Sequence, residues 1–160
     1  MEGLIIRKAL ETDMPTLLRF EQGVIAAERP FDPTIKESPV HYYDLNEMIT
    51  APHIELLVAE ISGRLVGSGY ARIDVSQHFL RHRQHAYLGF MYVEPEFRGR
   101  GVNSAIMNAL ENWTAAQGIP ELRLEVYYGN ASAISAYEKV GFSRHMIEMR
   151  KGLDDQLPKL

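Results

Sequence analysis

The sequence predicts an α/β fold, a mixed sheet with helices on its faces. Three observations predict it. Strand-like and helix-like patterns alternate along the chain, a nearly continuous apolar run spans 86–93, and a helical stripe follows it at 102–113. An unbroken apolar run suits a central strand covered on both faces. The 160 residues suffice for one domain with a real core, which we assign to 1–152, with 153–160 as a polar tail.

Leu4 to Arg7 reads as a first strand. Thr12 or Asp13 can cap a helix with Pro15 in its first turn, and Leu17, Leu18 and Phe20 give that helix an apolar side that decays near Gly23. Residues 26–52 carry four prolines, which makes a regular element hard to sustain, and only 44–49 reads as a short helix. This stretch also holds Phe31, Tyr42, Tyr43, Leu45 and Met48, so it is a cap over the core rather than a linker. Ile54–Ile61 and Leu65–Val75 form a hairpin about the turn Ser62-Gly63-Arg64. A polar connection, 76–85, leads into the apolar strand 86–93.

Val102, Ala105, Ile106, Ala109, Leu110 and Trp113 fall on one helical face, and Gly118 with Pro120 ends that helix. Leu122, Leu124 and Val126 alternate with polar residues as a strand. Asn130 opens a helix carrying Ala133, Ile134, Tyr137 and Val140, and Phe142 to Lys151 reads as a final strand.

The bulk properties narrow the function. A formal net charge of −4 argues against a nucleic-acid partner, which calls for a basic surface. No apolar run is long enough to span a bilayer, so no membrane role is expected. The start, Met-Glu-Gly-Leu-Ile-Ile-Arg-Lys, lacks a signal-peptide layout. The absence of cysteine excludes a disulfide framework, a thiolate metal site and a cysteine nucleophile, and makes a cytoplasmic location the default. His78, His82 and His85 have the spacing of a helical metal face but lie between strands without supporting carboxylates, so no metal is expected.

The chemistry concentrates at Val93–Gly101, Val-Glu-Pro-Glu-Phe-Arg-Gly-Arg-Gly, where a strand hands over to a helix. The first-turn N–H groups of a helix lack internal partners and sit at the positive end of its dipole, so a glycine-rich turn there suits a phosphate. Arg98-Gly99-Arg100-Gly101-Val102-Asn103, with the approach Tyr92-Val93-x-Pro95-x-Phe97, resembles the acetyl-CoA signature of the GNAT superfamily of N-acetyltransferases, Gln/Arg-x-x-Gly-x-Gly/Ala. A second segment, Asn130-x-x-Ala133-x-x-x-Tyr137-x-Lys139-x-Gly141-Phe142, resembles that family's following motif. The resemblance runs from the first strand to the last and is weakest over 24–53. Asn103 departs from the pattern, which has Gly or Ala at that place.

The resemblance implies a GNAT-like acyl-CoA N-acyltransferase fold: a mixed, mostly antiparallel sheet of six or seven strands, with a splay between the central parallel strands 86–93 and 121–127. It implies acetyl-CoA as co-substrate. The pantetheine arm would run along Met91, Tyr92 and Val93, and the pyrophosphate would sit on Arg98, Gly99, Arg100, Gly101, Val102 and Asn103. Asn130 would touch the pantetheine arm, and Tyr137 would protonate the leaving thiolate. An ammonium near pKa ~10.4 must lose a proton before it attacks. Glu125 is the first candidate for the base, ahead of Glu94, Glu55 and Tyr92. The implied reaction is direct attack by a primary amine of a small molecule or peptide in a ternary complex. Residues 24–53, with Glu28, Asp32, Glu37, Asp44 and Glu47 beside aromatics, suit a cationic acceptor. The rival reading is a non-catalytic acyl-CoA-binding or regulatory module of the same fold. Many relatives dimerise, which leaves a homodimer open here.

Overall fold

The computed structural model describes residues 3–153. One five-stranded sheet runs in sequence order, β1 (Leu4–Lys8), β2 (Ile54–Ile61), β3 (Arg64–Val75), β4 (Gln84–Val93) and β5 (Leu122–Arg123). The first three pairings are antiparallel and the last is parallel. Four α-helices cover the sheet: α1 (Met14–Glu28), α2 (Leu45–Thr50), α3 (Val102–Ala116) and α4 (Ala131–Lys139).

Each sheet face has its own core. Leu17, Phe20 and Val24 of α1 and Leu45, Met48 and Ile49 of α2 pack on Ile54, Leu56, Val58, Tyr70 and Phe90. On the other face Val102, Ile106, Met107 and Leu110 of α3 pack on Leu57, Ala59, Val66, Ala71 and Leu88. The apolar stripe read at 102–113 is therefore the inner face of α3. Tyr137 and Phe142 join this second core from the C-terminal side.

Four expectations need correction. Helix α1 does not end near Gly23, because Val24 and Ile25 are buried and extend its inner stripe to Glu28. At its start, Asp13 makes no side-chain cap bond within the helix. Its carboxylate instead accepts from Leu10 N at 2.8 Å and from Arg7 at 2.8 and 3.0 Å. The sheet has five strands among the described residues rather than six or seven, because 142–151 forms no strand. Met146, Ile147 and Met149 are all exposed, so this stretch has no one-sided burial to hold a strand register. Arg144 and Arg150 tether it to Glu138 and Asp32 instead.

The expected strand 121–127 shrinks to two residues, and this shortening opens the site. Ala86 pairs with Leu122 and Tyr87 with Arg123, and the two chains then part. From Leu88 onward β4 has a strand partner only on its β3 side.

Candidate active site

The wedge between β4 and residues 124–127 is bounded by a distortion of β4 itself. Tyr70 pairs with Gly89 but Ser68 pairs with Tyr92, so Gly69 alone faces Phe90 and Met91. This is a β-bulge, and Phe90 takes it up at φ 54°, a left-handed conformation costly for a bulky residue. The Ser68 hydroxyl, fully buried, donates to the Phe90 carbonyl at 3.1 Å and holds the distortion in place. The extra residue resets the alternation. Phe90 and Tyr92 belong to the α1 face, while Met91 and Val93 belong to the α3 face.

At the far end of β4 the chain turns into α3 through Gly99 at φ 70° and Gly101 at φ 84°. Gly101 is the N-cap of α3 and no side chain caps that helix, so its first-turn N–H groups are left for another acceptor. A Cβ at either glycine would meet nothing within 4 Å, so the space above the turn is open. The turn thus fits an anionic group such as a pyrophosphate. The two arginines lie along the loop: Arg98 Nε donates to the Val93 carbonyl at 3.0 Å, and the Arg100 guanidinium stacks 5.6 Å from the centre of Phe97. The Asn103 amide lies along the helix, with Nδ2 3.5 Å from Met107 Sδ. Val102, at 1% exposure, is core and offers only its backbone.

The second motif lies on α4 and the turns that flank it. Asn130 Oδ1 accepts from Ala133 N at 3.1 Å, the capping role expected of it. Tyr137 is half-buried, 6.1 Å from Phe142 between ring centres. Burial raises its hydroxyl above the usual pKa, and the negative charge of Glu28 raises it further, so the phenol keeps its proton.

Among the base candidates, Glu94 is buried and already engaged by Arg19, by Arg64 at 3.9 Å and by the Tyr92 hydroxyl at 3.3 Å. Glu55 pairs with Lys8 at 3.6 Å. Tyr92 turns its side chain toward α1, 4.8 Å from Phe20 between ring centres, so only its backbone is placed to line the wedge. Glu125 is exposed, with the Tyr87 and Tyr70 hydroxyls near enough to feel its charge. Burial first, then Glu125, drives the Tyr87 hydroxyl well above its ordinary range.

Sequence reasoning had placed Glu28 in the cap without a role beside Tyr137. It is half-buried at the end of α1, and burial raises its carboxyl pKa while the nearby Tyr42 hydroxyl pulls the other way. Tyr127 donates to Asp32 at 3.4 Å and stacks 6.2 Å from Phe31, so the chain after α1 roofs the strand exit at 127–129. Tyr43 stands 4.6 Å from Phe90 and 6.0 Å from Tyr70 between ring centres. The cavities open on this side: one of about 640 Å³ against Met14, Leu18 and residues 41–46, and one of about 170 Å³ between Tyr42, Tyr43, Glu47, Tyr70 and Arg72. No local signal in the sequence marks the bulge, because a bulky phenylalanine is not expected at positive φ. Of the connection's histidines, His85 hydrogen-bonds Ser76 at 2.9 Å, His82 lies against the Glu121 carboxylate, and His78 stands edge-on to Phe79.

A family model described as the acetyltransferase (GNAT) family matches residues 22–142. The chain belongs to the GNAT acetyltransferase family. Solved structures share its fold. A mutant of the BH1408 protein from Bacillus halodurans matches with TM-score 0.83 at 19% identity, covering 93% of this chain and 99% of that one. A predicted acetyltransferase from Clostridium acetobutylicum, solved with acetyl-CoA, matches with TM-score 0.72 at 18% identity over 94% and 96% of the two chains. Glucosamine-6-phosphate N-acetyltransferase from Arabidopsis thaliana matches with TM-score 0.70 at 20% identity over 96% and 100%. At such identities the likeness is one of fold.

Proposed function

We propose that the protein transfers the acetyl group of acetyl-CoA to a primary amine of a small molecule or peptide, by direct attack in a ternary complex. One observation carries the reading: the strands part after two residue pairs, and the wedge so formed runs to an uncapped helix start at a doubly positive-φ glycine turn. The free N–H groups of Gly101, Val102 and Asn103 would hold the pyrophosphate, and the open edge of Met91, Tyr92 and Val93 would pair with the pantetheine amides. The backbone at the Phe90 bulge would hydrogen-bond the thioester oxygen, which gains charge as the amine adds.

Glu125 would take a proton from the incoming ammonium, directly or through one water. The amine nitrogen forms its bond to the carbonyl carbon, the carbon–sulfur bond breaks, Tyr137 gives its proton to the leaving sulfur, and the second proton the nitrogen sheds on becoming an amide returns to Tyr137 through solvent. The rings of Tyr43, Tyr70 and Tyr87 with the carboxylates of Glu125 and Glu28 give the acceptor side an aromatic, negative character. That character favours an acceptor that arrives as a cation. The test is release of CoA thiol when acetyl-CoA meets a panel of amines: polyamines, aminosugars, amino acids and short peptides. Turnover supports the enzyme reading, with cationic amines preferred. Tight acetyl-CoA binding without turnover across the panel would assign the chain to the non-catalytic module.

A further inference from the structure

Helix α1 buries a carboxylate in its apolar face. Glu21 is 0% exposed and lies on the same side as Leu17, Phe20 and Val24. A buried carboxylate costs several kcal/mol unless hydrogen bonds compensate it, so a helix whose only task is packing would carry an apolar residue there. All of Glu21's hydrogen bonds go to one short segment. Its Oε1 accepts from Tyr42 N at 2.7 Å and Tyr43 N at 3.0 Å, and its Oε2 meets His41 Nδ1 at 2.8 Å. Three consecutive residues thus converge on one side chain twenty positions earlier. Asp44 follows at once and caps α2 by accepting from Glu47 N at 3.0 Å.

The residues so fixed pack against the α1 face of the sheet, where the proposed function would seat the acceptor. Tyr43 stands against Phe90, the residue that makes the bulge, and against Tyr70. The Tyr42 hydroxyl lies near Glu28, whose charge reaches Tyr137. Both cavities use residues 42–44 as a shared wall. The phosphate turn at 98–103 lies elsewhere, and none of Glu21's hydrogen bonds leads to it.

We propose that Glu21 is a positioning residue for the acceptor: its carboxylate straps residues 41–43 to α1 so that Tyr43 backs the β4 bulge and Tyr42 faces the cleft. This rests on the acetyltransferase reading for its consequence in catalysis, though not for its geometry. Glu21→Gln keeps an oxygen for both N–H groups and offers an amide N–H to a neutral His41. Glu21→Ala removes the strap.

The experiment uses the full chain and the best amine from the panel. It measures KM and kcat for that amine, the Kd for acetyl-CoA, and hydrogen exchange at the amides of 42 and 43. Glu21→Ala should raise the amine KM by about tenfold or more, leave the acetyl-CoA Kd within about threefold, and speed exchange at 42 and 43 but not within α3. Glu21→Gln should stay within about threefold of the parent on every readout. An unchanged amine KM in Glu21→Ala, or equal losses for both substrates, would overturn the proposal. So would a Glu21→Gln variant as impaired as Glu21→Ala. If Glu21→Ala does not fold, Glu21→Gln and Tyr43→Ala are compared, and an unaltered amine KM in Tyr43→Ala overturns it. If the parent chain turns over no amine, the acetyltransferase reading fails separately. The strap is then judged by exchange: amides 42 and 43 as slow in Glu21→Ala as in the parent overturn it.

Discussion

The ring of Tyr92 rests directly on the backbone of Gly23. A Cβ at residue 23 would come within 2.7 Å of Tyr92 Cζ and 2.9 Å of its hydroxyl oxygen. The ring cannot easily yield, since Phe20 lies against it and Glu94 holds its hydroxyl. Alanine would gain about 1 kcal/mol from helix propensity at an open site. Here overpacking of about 1–3 kcal/mol should outweigh that gain, so Gly23→Ala lowers stability. Denaturant unfolding checks it, and a more stable variant would show that the ring moves freely.

Gly101 should answer differently, because nothing crowds it. Its φ of 84° costs an L-residue about 1–2 kcal/mol, so Gly101→Ala loses some stability by backbone strain alone. The new methyl also enters the open space above the helix start. Acetyl-CoA affinity should fall by about tenfold, as read by calorimetric titration. An unaltered affinity would move the phosphate site off this turn.

Asn103→Ala should leave that affinity within about threefold, since the amide already lies along α3 toward Met107 rather than over the turn. A loss near two orders of magnitude would make Asn103 a principal ligand.

For Tyr137, the proton is the test. Tyr137→Phe keeps the ring beside Phe142 and removes the hydroxyl. Turnover should drop by about 100-fold with acetyl-CoA affinity nearly constant. Equal turnover would end the acid role.

Asp32 links acid stability to the roof over the wedge. Its carboxyl is held down to about 2 by hydrogen bonds from the Thr34 side chain and backbone, and by Arg150. A depressed folded pKa stabilises above the unfolded value and loses that contribution as pH falls. The window therefore runs from the ordinary value of 3.8 down to about 2. Thermal melts should show the parent losing stability across that window, with Asp32→Asn less stable above it and flatter within it.

Local pattern carried much of this fold. The hairpin of β2 and β3, strand β4 and helix α3 each announce themselves by periodicity and by the glycines and prolines that end them. The Asn130 cap and the glycine turn were legible for the same reason: their chemistry is contained within a few residues. What escaped depends on distant partners. Helix α1 passes Gly23 because Val24 and Ile25 find burial beyond it, and Tyr92 leaves no room for a larger residue at 23. The stretch 142–151 has strand composition but no neighbouring strand to complete its ladder. Glu21 looks like any helical glutamate until the segment twenty residues onward folds over it. Of the candidate site, motif residues were visible, whereas the Phe90 bulge and the approach of Glu28 to Tyr137 arise only when separate elements meet.

The brief union of β4 and β5 has a mechanical meaning. Two residue pairs make a hinge pin, and residues 124–153 hang from it as a leaf that also rests on the α3-face core through Leu124, Tyr137 and Phe142. The latch opposite the pin is small: Phe31 on Tyr127, and Asp32 with Tyr127 and Arg150. A molecule lying in the wedge touches frame and leaf together and so acts as the mortar between them. The leaf's rigidity is then a property of the loaded protein, and protease cleavage beyond residue 123 should slow as acetyl-CoA is added.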